Sequence, residues 1–372
     1  MNAAELLRRS VIGAGPYVPG AGARELKART GRSDLIRLNW NENLLGPLDG
    51  VLDAVAASLP DSVWAYPEEA YEQFRTAVAR WTGADPAQVV PGHGIQALTL
   101  ALVSALVEPG DRVVIPRPTY GLYASVCAVA GAEVIRVDAD PDTLSFDLAA
   151  LARSAHELGA KLVFVCDPNN PTGLRVGRRD WDAFTAALPE RCLVVVDEAY
   201  ADYVDPSERI DRLADIDAGR PVAVLRTFSK IFGLAGLRLG YLLVHESLAA
   251  HLHAVQEPFN VNCAALAAGL ASLQRVDSLD ARRAQAARAR DQLIAPLAAA
   301  GIRTLRSQAS FVLVQVGGDD VSVCEALTRE AGLLLRAGSE FGLPGYVRVT
   351  IGDERLMERV GAALVRAVGV RR

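Results

Sequence analysis

The 372-residue chain predicts an α/β fold: a large domain with a mostly parallel sheet between helices, followed by a smaller α+β domain. Three observations carry this expectation. Short apolar runs without polar alternation alternate with helical segments from about residue 88 to 245, as in a sheet covered on both faces. Several of these runs end in a polar residue, and in such sheets ligands sit just beyond the carboxyl ends of the strands. After residue 245 the pattern changes to long helical segments and a few short strands.

Taken in order, "QVVP" (88–91) is a strand that leads into "GHGIQALTLALVSALVEPG", a Gly-rich turn and a helix closed by Pro-Gly. "DRVVIPRPTY" is a strand and loop, and "GAEVIRV", "KLVFVCDP", "CLVVVDEAY", "VAVLRTFSK" and "LRLGYLLV" follow as buried strands. Next come the helical stretches "HLHAVQEPFNVNCAALAAGLASLQ" and "LDARRAQAARARDQLIAPLAAAG". The second is rich in arginine on one side, which predicts a solvated face. "SFVLVQV", "LLLRAG" and "YVRVTIG" supply the strands of the smaller lobe, with "DVSVCEALTREAG" as a helix among them. The expected division is an N-terminal arm over 1–40 joining the small domain, a large ligand-binding domain over 41–250, and a small domain over 251–372. No internal repeat or low-complexity tract interrupts it.

Composition excludes several function classes. Hydrophobic residues make up 51%, enough for a large core, and the net charge of −5 disfavours a nucleic-acid surface. The start, "MNAAELLRRSVIGAG", lacks the apolar region of an export signal. No apolar run approaches the roughly 18–20 residues that span a bilayer. The five cysteines (127, 166, 192, 263 and 324) lie far apart with no C-x-x-C spacing. They read as small hydrophobes in a reducing cytoplasm, and no metal site is expected.

One imbalance points to chemistry. Of 39 basic residues only three are lysines: Lys27, Lys161 and Lys230. Lysine can lose its proton and act as a nucleophile, whereas arginine effectively cannot. Lys27 and Lys161 read as surface cations, but Lys230 sits in "RTFSKIFGLAGLRLG" among apolar, small and hydroxylic residues.

The ends of the neighbouring strands say what that amine serves. "VVVDEAY" ends a buried strand in Asp197, a carboxylate that needs a cationic or hydrogen-bonding partner. A nucleotide-bound metal would require G-x-x-x-x-G-K-[ST], and no lysine here lies in one. "VFVCDPNNPTG" places Asn170 in a turn at another strand end. An amide, a carboxylate and an amine at adjacent strand mouths can hold a pyridine ring: amide to phenolic oxygen, carboxylate to ring nitrogen, lysine to aldehyde. That is the donor set of pyridoxal 5'-phosphate. The phosphate finds free N–H groups where "GHGIQAL" enters its helix, hydroxyls on Thr227 and Ser229, and the guanidinium of Arg238. Tyr120 in "PTYGLY" offers a face to the ring. A nicotinamide reading of the Gly-x-Gly turn fails, because the next strand ends in Pro116-Arg117-Pro118 rather than an acid. His93 reads as a loop histidine.

"DPNNPTG", "VVVDEAY", "RTFSKIFGLAGLRLG" and "YVRVTIG", in this order, resemble the fold-type I pyridoxal-phosphate aminotransferases over nearly the whole chain. "PYVPG", "LNWNEN", "AYPE", "PTYGLY", "EPFNVN" and "LLLRAG" are similar to the histidinol-phosphate aminotransferase branch. The resemblance implies that Lys230 forms the Schiff base and moves the proton, and that Asp197 pairs with the pyridine nitrogen. It implies that Asn170 and Tyr200 bond the ring oxygen and that Tyr120 stacks on the ring. The backbone of Ile95 and Gln96, with Thr227, Ser229 and Arg238, would hold the phosphate. Tyr66 would reach the cofactor phosphate of a second subunit, implying a homodimer. Arg348 would meet the acidic group of the substrate, and Arg336 and Tyr17 a substrate phosphate.

The implied reaction is a ping-pong transfer between an amino donor and a 2-oxo acid, L-histidinol phosphate and 2-oxoglutarate first. Aromatic or other amino acids, or a specialised biosynthetic pathway, are the alternatives within the branch. The chain departs from the branch pattern at Leu44, where proline is usual, at Ile95-Gln96-Ala97, where an acidic residue is usual, and at Ser310, where asparagine is usual. Similar lobes also serve as ligand sensors in transcription regulators, but about 40 residues before the cofactor lobe leave no room for the winged-helix domain these need.

Overall fold

The computed structural model describes residues 6–13, 25, 27, 28, 31–68 and 70–369. After a two-residue strand, β1 (Ile36–Arg37), the chain supplies seven strands to one sheet. They are β2 (Val89–Gly92), β3 (Arg112–Arg117), β4 (Glu133–Asp138), β5 (Leu162–Cys166), β6 (Leu193–Asp197), β7 (Val222–Thr227) and β8 (Gly240–Leu243). Their order is β2-β8-β7-β6-β5-β3-β4. β8 runs antiparallel to β2 and β7, and the remaining pairs are parallel.

Side-chain alternation along the central strands sets what each face can do. Leu162, Phe164 and Cys166 of β5 lie in one apolar core with Val195, Ala223 and Leu225. Val163, Val165, Val194, Val196, Val222 and Val224 lie in the core on the opposite face. Burying one such side chain contributes roughly 1.5–3 kcal/mol, so a one-residue slip, which exchanges the faces, is strongly disfavoured. The register Cys166↔Asp197↔Leu225 carries this alternation past the strand ends. Asp197 and Thr227 therefore continue the first face. Asp167, Glu198 and Arg226 continue the second.

The smaller lobe contains β9 (Phe311–Gln315), β10 (Leu333–Leu334), β11 (Arg336–Ala337) and β12 (Tyr346–Thr350). β11, β12 and β9 form an antiparallel sheet in that order, while β10 pairs in parallel with β1. Leu38, just after β1, is buried in this lobe's core. The helix Leu279–Ala299 runs from one core to the other, with Ala286 in the larger and Ala289, Leu293 and Leu297 in the smaller. The change of core thus falls inside this helix and not at the expected boundary after residue 250. The reason is the Ala-rich helix Cys263–Leu273, which packs on the helix Val51–Ser62 of the larger lobe. Its small side chains give no sequence cue to which lobe they join.

The arginine side of Leu279–Ala299 also differs from the solvated face expected. Arg282 donates to the carbonyls of Pro47 (2.5 Å), Gly46 (2.6 Å) and Ile231 (3.1 Å), Arg283 to that of Asp202 (3.1 Å), and Arg290 to that of Ala309 (2.9 Å). These arginines tie the helix to loops of both lobes, and only some of the row, such as Arg288, is exposed. Cys127, Cys166 and Cys192 are buried as expected, whereas Cys263 and Cys324 are half-buried. Among the described residues no helix is long and apolar enough to cross a membrane.

Candidate active site

A cavity of about 430 Å³ opens at the carboxyl ends of β5, β6 and β7, within the usual range for a small-molecule site. Twelve of the residues singled out from the sequence line it: Ile95, Gln96, Tyr120, Asn170, Asp197, Tyr200, Thr227, Ser229, Lys230, Arg238, Arg336 and Arg348. Tyr66 lies elsewhere, 82% exposed and stacked on Phe259 with centroids 4.8 Å apart. Tyr17 lies outside the described residues.

Lys230 follows β7 and is half-buried. Its Nζ donates to the Asn41 carbonyl at 3.0 Å and to the Trp40 carbonyl at 3.4 Å. Burial, and then the Arg348 guanidinium, push its pKa down to about 8. The two carbonyls come from a segment 189 residues away, a contact with no cue in the sequence.

Asp197 ends β6 on the same face as Cys166. Its Oδ2 accepts from Tyr123 Oη at 2.5 Å and its Oδ1 from the Ala199 N–H at 2.9 Å. Burial raises its pKa, with the Tyr123 and Ala199 hydrogen bonds pulling the other way. Among the described residues no cation stands within ion-pair distance of it. A buried carboxylate with neutral donors behind it and an open cavity before it fits a protonated ring nitrogen.

The ring-oxygen pair also fits. Asn170 Oδ1 accepts from Arg348 Nη1 at 2.6 Å, and its Nδ2 makes no hydrogen bond to a described residue. Tyr200 Oη accepts from Asn41 Nδ2 at 2.9 Å, which leaves its own proton free to donate. Two donors therefore remain where a phenolic oxygen would be held.

An anion site lies at the start of the helix Gly94–Leu106, whose N-cap His93 makes no side-chain capping bond. The Ile95 and Gln96 N–H groups make no hydrogen bond to a described residue, and the helix dipole favours negative charge there. Gly94 has φ +75°, and a Cβ on it would fall 2.7 Å from Arg238 Nη2. Glycine is what lets the guanidinium approach the turn. Arg238 Nη1 also reaches Ser229 Oγ at 3.4 Å. Thr227 Oγ1 accepts from the Ser229 N–H at 3.0 Å, so the two hydroxyls are held together. The phosphate donors read from the sequence converge.

Arg336 and Arg348 are register partners on β11 and β12, so their side chains leave the same face of the small sheet. Arg348 is 2% exposed and also donates to the Asn39 carbonyl at 2.6 Å. Of the departures from the branch pattern, Gln96 lines the cavity. Leu44 lies against the small lobe, 3.2 Å from where a Cβ on Gly352 would be. Ser310 Oγ is buried without a hydrogen-bond partner among the described residues.

Sequence reasoning missed Tyr123 and Asn41, and Phe341, which also lines the cavity. Tyr123 carried a signal, since it lies one helical turn after Tyr120 and meets it edge-on at 5.5 Å. It missed as well the charges on the opposite face of the sheet. There Arg212 Nη2 donates to Asp167 at 2.6 Å and Nη1 to Glu198, while Arg226 pairs with Glu198 at 2.6 Å and Asp202 at 3.1 Å. Burial alone would raise the Glu198 carboxyl, and the Arg226 and Arg212 guanidiniums outweigh it and hold it below the usual range.

Known proteins resemble this chain in sequence and in fold. A histidinol-phosphate aminotransferase of Symbiobacterium thermophilum is 38% identical over 354 residues, 95% of this chain and 96% of that protein. One of Moorella thermoacetica is 36% identical over 360 residues, 96% and 92% of the two chains. The crystal structure of histidinol-phosphate aminotransferase from Sinorhizobium meliloti, in complex with pyridoxal-5'-phosphate, superposes with a TM-score of 0.89, at 28% identity and covering 98% of each chain. An aspartate aminotransferase from Thermus thermophilus shares the fold at a TM-score of 0.85 and 24% identity, covering 97% and 99% of the two chains. The family model for aminotransferase class I and II matches residues 33–364, nearly the whole of both lobes: the chain belongs to the class I and II aminotransferases.

Proposed function

We propose that this chain transfers the amino group of L-histidinol phosphate to 2-oxoglutarate, with pyridoxal 5'-phosphate as cofactor and both half-reactions at one site. One observation carries the reading: the cavity that holds Lys230, Asp197 and Asn170 also carries the paired guanidiniums of Arg336 and Arg348. The names of the relatives support the substrate.

Asp197 would hold the pyridine nitrogen in its protonated form, and Asn170 and Tyr200 the ring oxygen. The Ile95 and Gln96 N–H groups, Thr227, Ser229 and Arg238 would hold the cofactor phosphate, with Tyr120 against the ring. Bound there, pyridoxal 5'-phosphate supplies a carbonyl that takes up an amine and a cationic ring that accepts electrons when the neighbouring carbon loses its proton. Lys230, whose pKa is about 8, is neutral often enough near neutral pH to attack a carbonyl, and its Nζ can carry a proton between adjacent positions. Arg348 offers two N–H groups to an acidic substrate.

Trp64 and Tyr66 are 79% and 82% exposed, and Val63 beside them is 67% exposed. A second copy of the chain would cover this patch and bring Tyr66 to the neighbouring site, with the dimer acting in the cytoplasm.

The test is an absorbance titration of the pyridoxal-loaded protein with L-histidinol phosphate, L-phenylalanine and L-glutamate in parallel. Conversion of the cofactor band at low L-histidinol phosphate, reversed by 2-oxoglutarate, is the expected result. Conversion by phenylalanine or glutamate alone would leave the chemistry standing and overturn the substrate.

A further inference from the structure

The turn Gly338–Phe341 follows β11 and has no part in the assignments above. Arg336 Nε donates to Glu340 Oε2 at 3.1 Å, and the Arg336 guanidinium carbon lies 4.8 Å from the Phe341 ring centroid. The Arg348 guanidinium carbon also lies 4.8 Å from that centroid. One aromatic ring thus serves two neighbouring cations, and its electron-rich faces offset part of their repulsion. Arg336 is only 7% exposed, yet it lines the cavity. Its terminal Nη groups make no hydrogen bond to a described residue. A nearly buried guanidinium with those donors free faces a site for an anion.

The turn is fastened from behind. Buried Asp320 accepts from the Ser339 N–H (2.8 Å), the Ser339 hydroxyl (2.6 Å) and the Gly345 N–H (3.1 Å). A Cβ on Gly338 would fall 2.2 Å from the Leu343 carbonyl oxygen, so the loop closes tightly on a glycine.

We propose that Glu340 and Phe341 form an orienting clamp on Arg336, and that this clamp gives the enzyme its preference for a substrate bearing a phosphate group. The inference rests on the function proposed above. Glu340 occupies the Nε edge and Phe341 fixes the plane, which turns the Nη1–Nη2 edge to the ligand. That edge matches two oxygens of a phosphate. Glu340 is itself 41% exposed, so its charge is screened by solvent and does not cancel the attraction for a dianion. Glu340 and Phe341 are positioning residues, since they act through Arg336.

The test compares the holoenzyme with Glu340→Ala, Glu340→Gln and Phe341→Leu, using L-histidinol phosphate and its phosphate-free counterpart L-histidinol. The saturation constant and the limiting rate of the cofactor absorbance change are read separately. Glu340→Ala is expected to weaken saturation by L-histidinol phosphate about tenfold, the cost of ordering a released side chain, with a much smaller change for L-histidinol. Glu340→Gln keeps an acceptor for Nε and is expected to restore most of the preference. Phe341→Leu keeps an apolar side chain without the π face and is expected to lose part of it. An Ala variant that keeps the wild-type preference, or binds the phosphate ester more tightly, overturns the clamp while leaving the function intact. A wild type indifferent to the phosphate overturns the proposed function, and the clamp with it.

Discussion

Tyr123 Oη donates to Asp197 Oδ2 at 2.5 Å, from a ring stacked on Phe164 with centroids 4.8 Å apart. The bond favours the charged carboxylate against the burial that opposes it. In Tyr123→Phe the stack persists and the donor is lost. The expected outcome is a ten- to hundredfold weaker hold on pyridoxal 5'-phosphate, since a hydrogen bond to a charged group contributes about 1.5–3 kcal/mol. Titration of the cofactor-free protein checks this, and unchanged affinity would show that Asp197 needs no support.

Lys230 predicts a pH dependence of stability. Its folded pKa, about 8, lies below the usual lysine value of roughly 10.4. Between these values the unfolded chain binds the proton and the folded chain does not, so unfolding free energy rises with pH across the window. Below about pH 8 both states are charged, and the folded state carries the full cost of a buried ammonium. Denaturant unfolding of the cofactor-free protein should therefore gain more stability from pH 8 to 10 in the wild type than in Lys230→Met. Parallel curves for the two proteins would contradict the assignment. The same variant should lose transamination by at least a thousandfold, because under the proposed function it removes both the nucleophile and the proton carrier.

Arg348 donates to Asn170 Oδ1 and to the Asn39 carbonyl, and the proposed function asks the same guanidinium to hold the substrate. A lysine is a point charge and cannot meet all three. Arg348→Lys is expected to lower kcat/KM for acidic amino donors by roughly a hundredfold, from charge-assisted bonds worth about 1.5–3 kcal/mol each. Steady-state kinetics with L-glutamate checks this. A lysine variant within a few-fold of wild type would show that Arg348 supports Asn170 alone.

The parts of the site legible in the sequence end buried strands or open a helix. Asp197 and Asn170 stand out because an apolar run stops at a polar residue, and Lys230 because a lysine is rare here. Asn41 gave no such signal. It sits in a loop with φ 56°, and its role depends on a carbonyl meeting a lysine far along the chain. Glu340 and Phe341 lie in a short turn whose composition suits any surface loop. Arg212, in "RIDRLADID", reads as one more surface arginine, since its two carboxylate partners come from the ends of other strands.

That arginine carries the last prediction. The alternation that turns Asp197 toward the cofactor cavity turns Asp167 and Glu198 to the other face of the sheet. Both are buried there, and Arg212 bridges them while lying 4.5 Å over the Trp181 ring. Asp167 stands three residues before Asn170, and Glu198 directly follows Asp197. Arg212→Met keeps the apolar contact with Trp181 but leaves Asp167 without this partner, while Arg226 still holds Glu198. Breaking a buried pair on one side costs about 3–5 kcal/mol. Thermal and denaturant unfolding should show that loss, and Arg212→Lys should recover part of it. If the Asp167–Arg212–Glu198 contacts also set the strand ends, cofactor affinity falls in Arg212→Met at temperatures where the chain remains folded. Full affinity in a destabilised protein would confine Arg212 to holding the sheet.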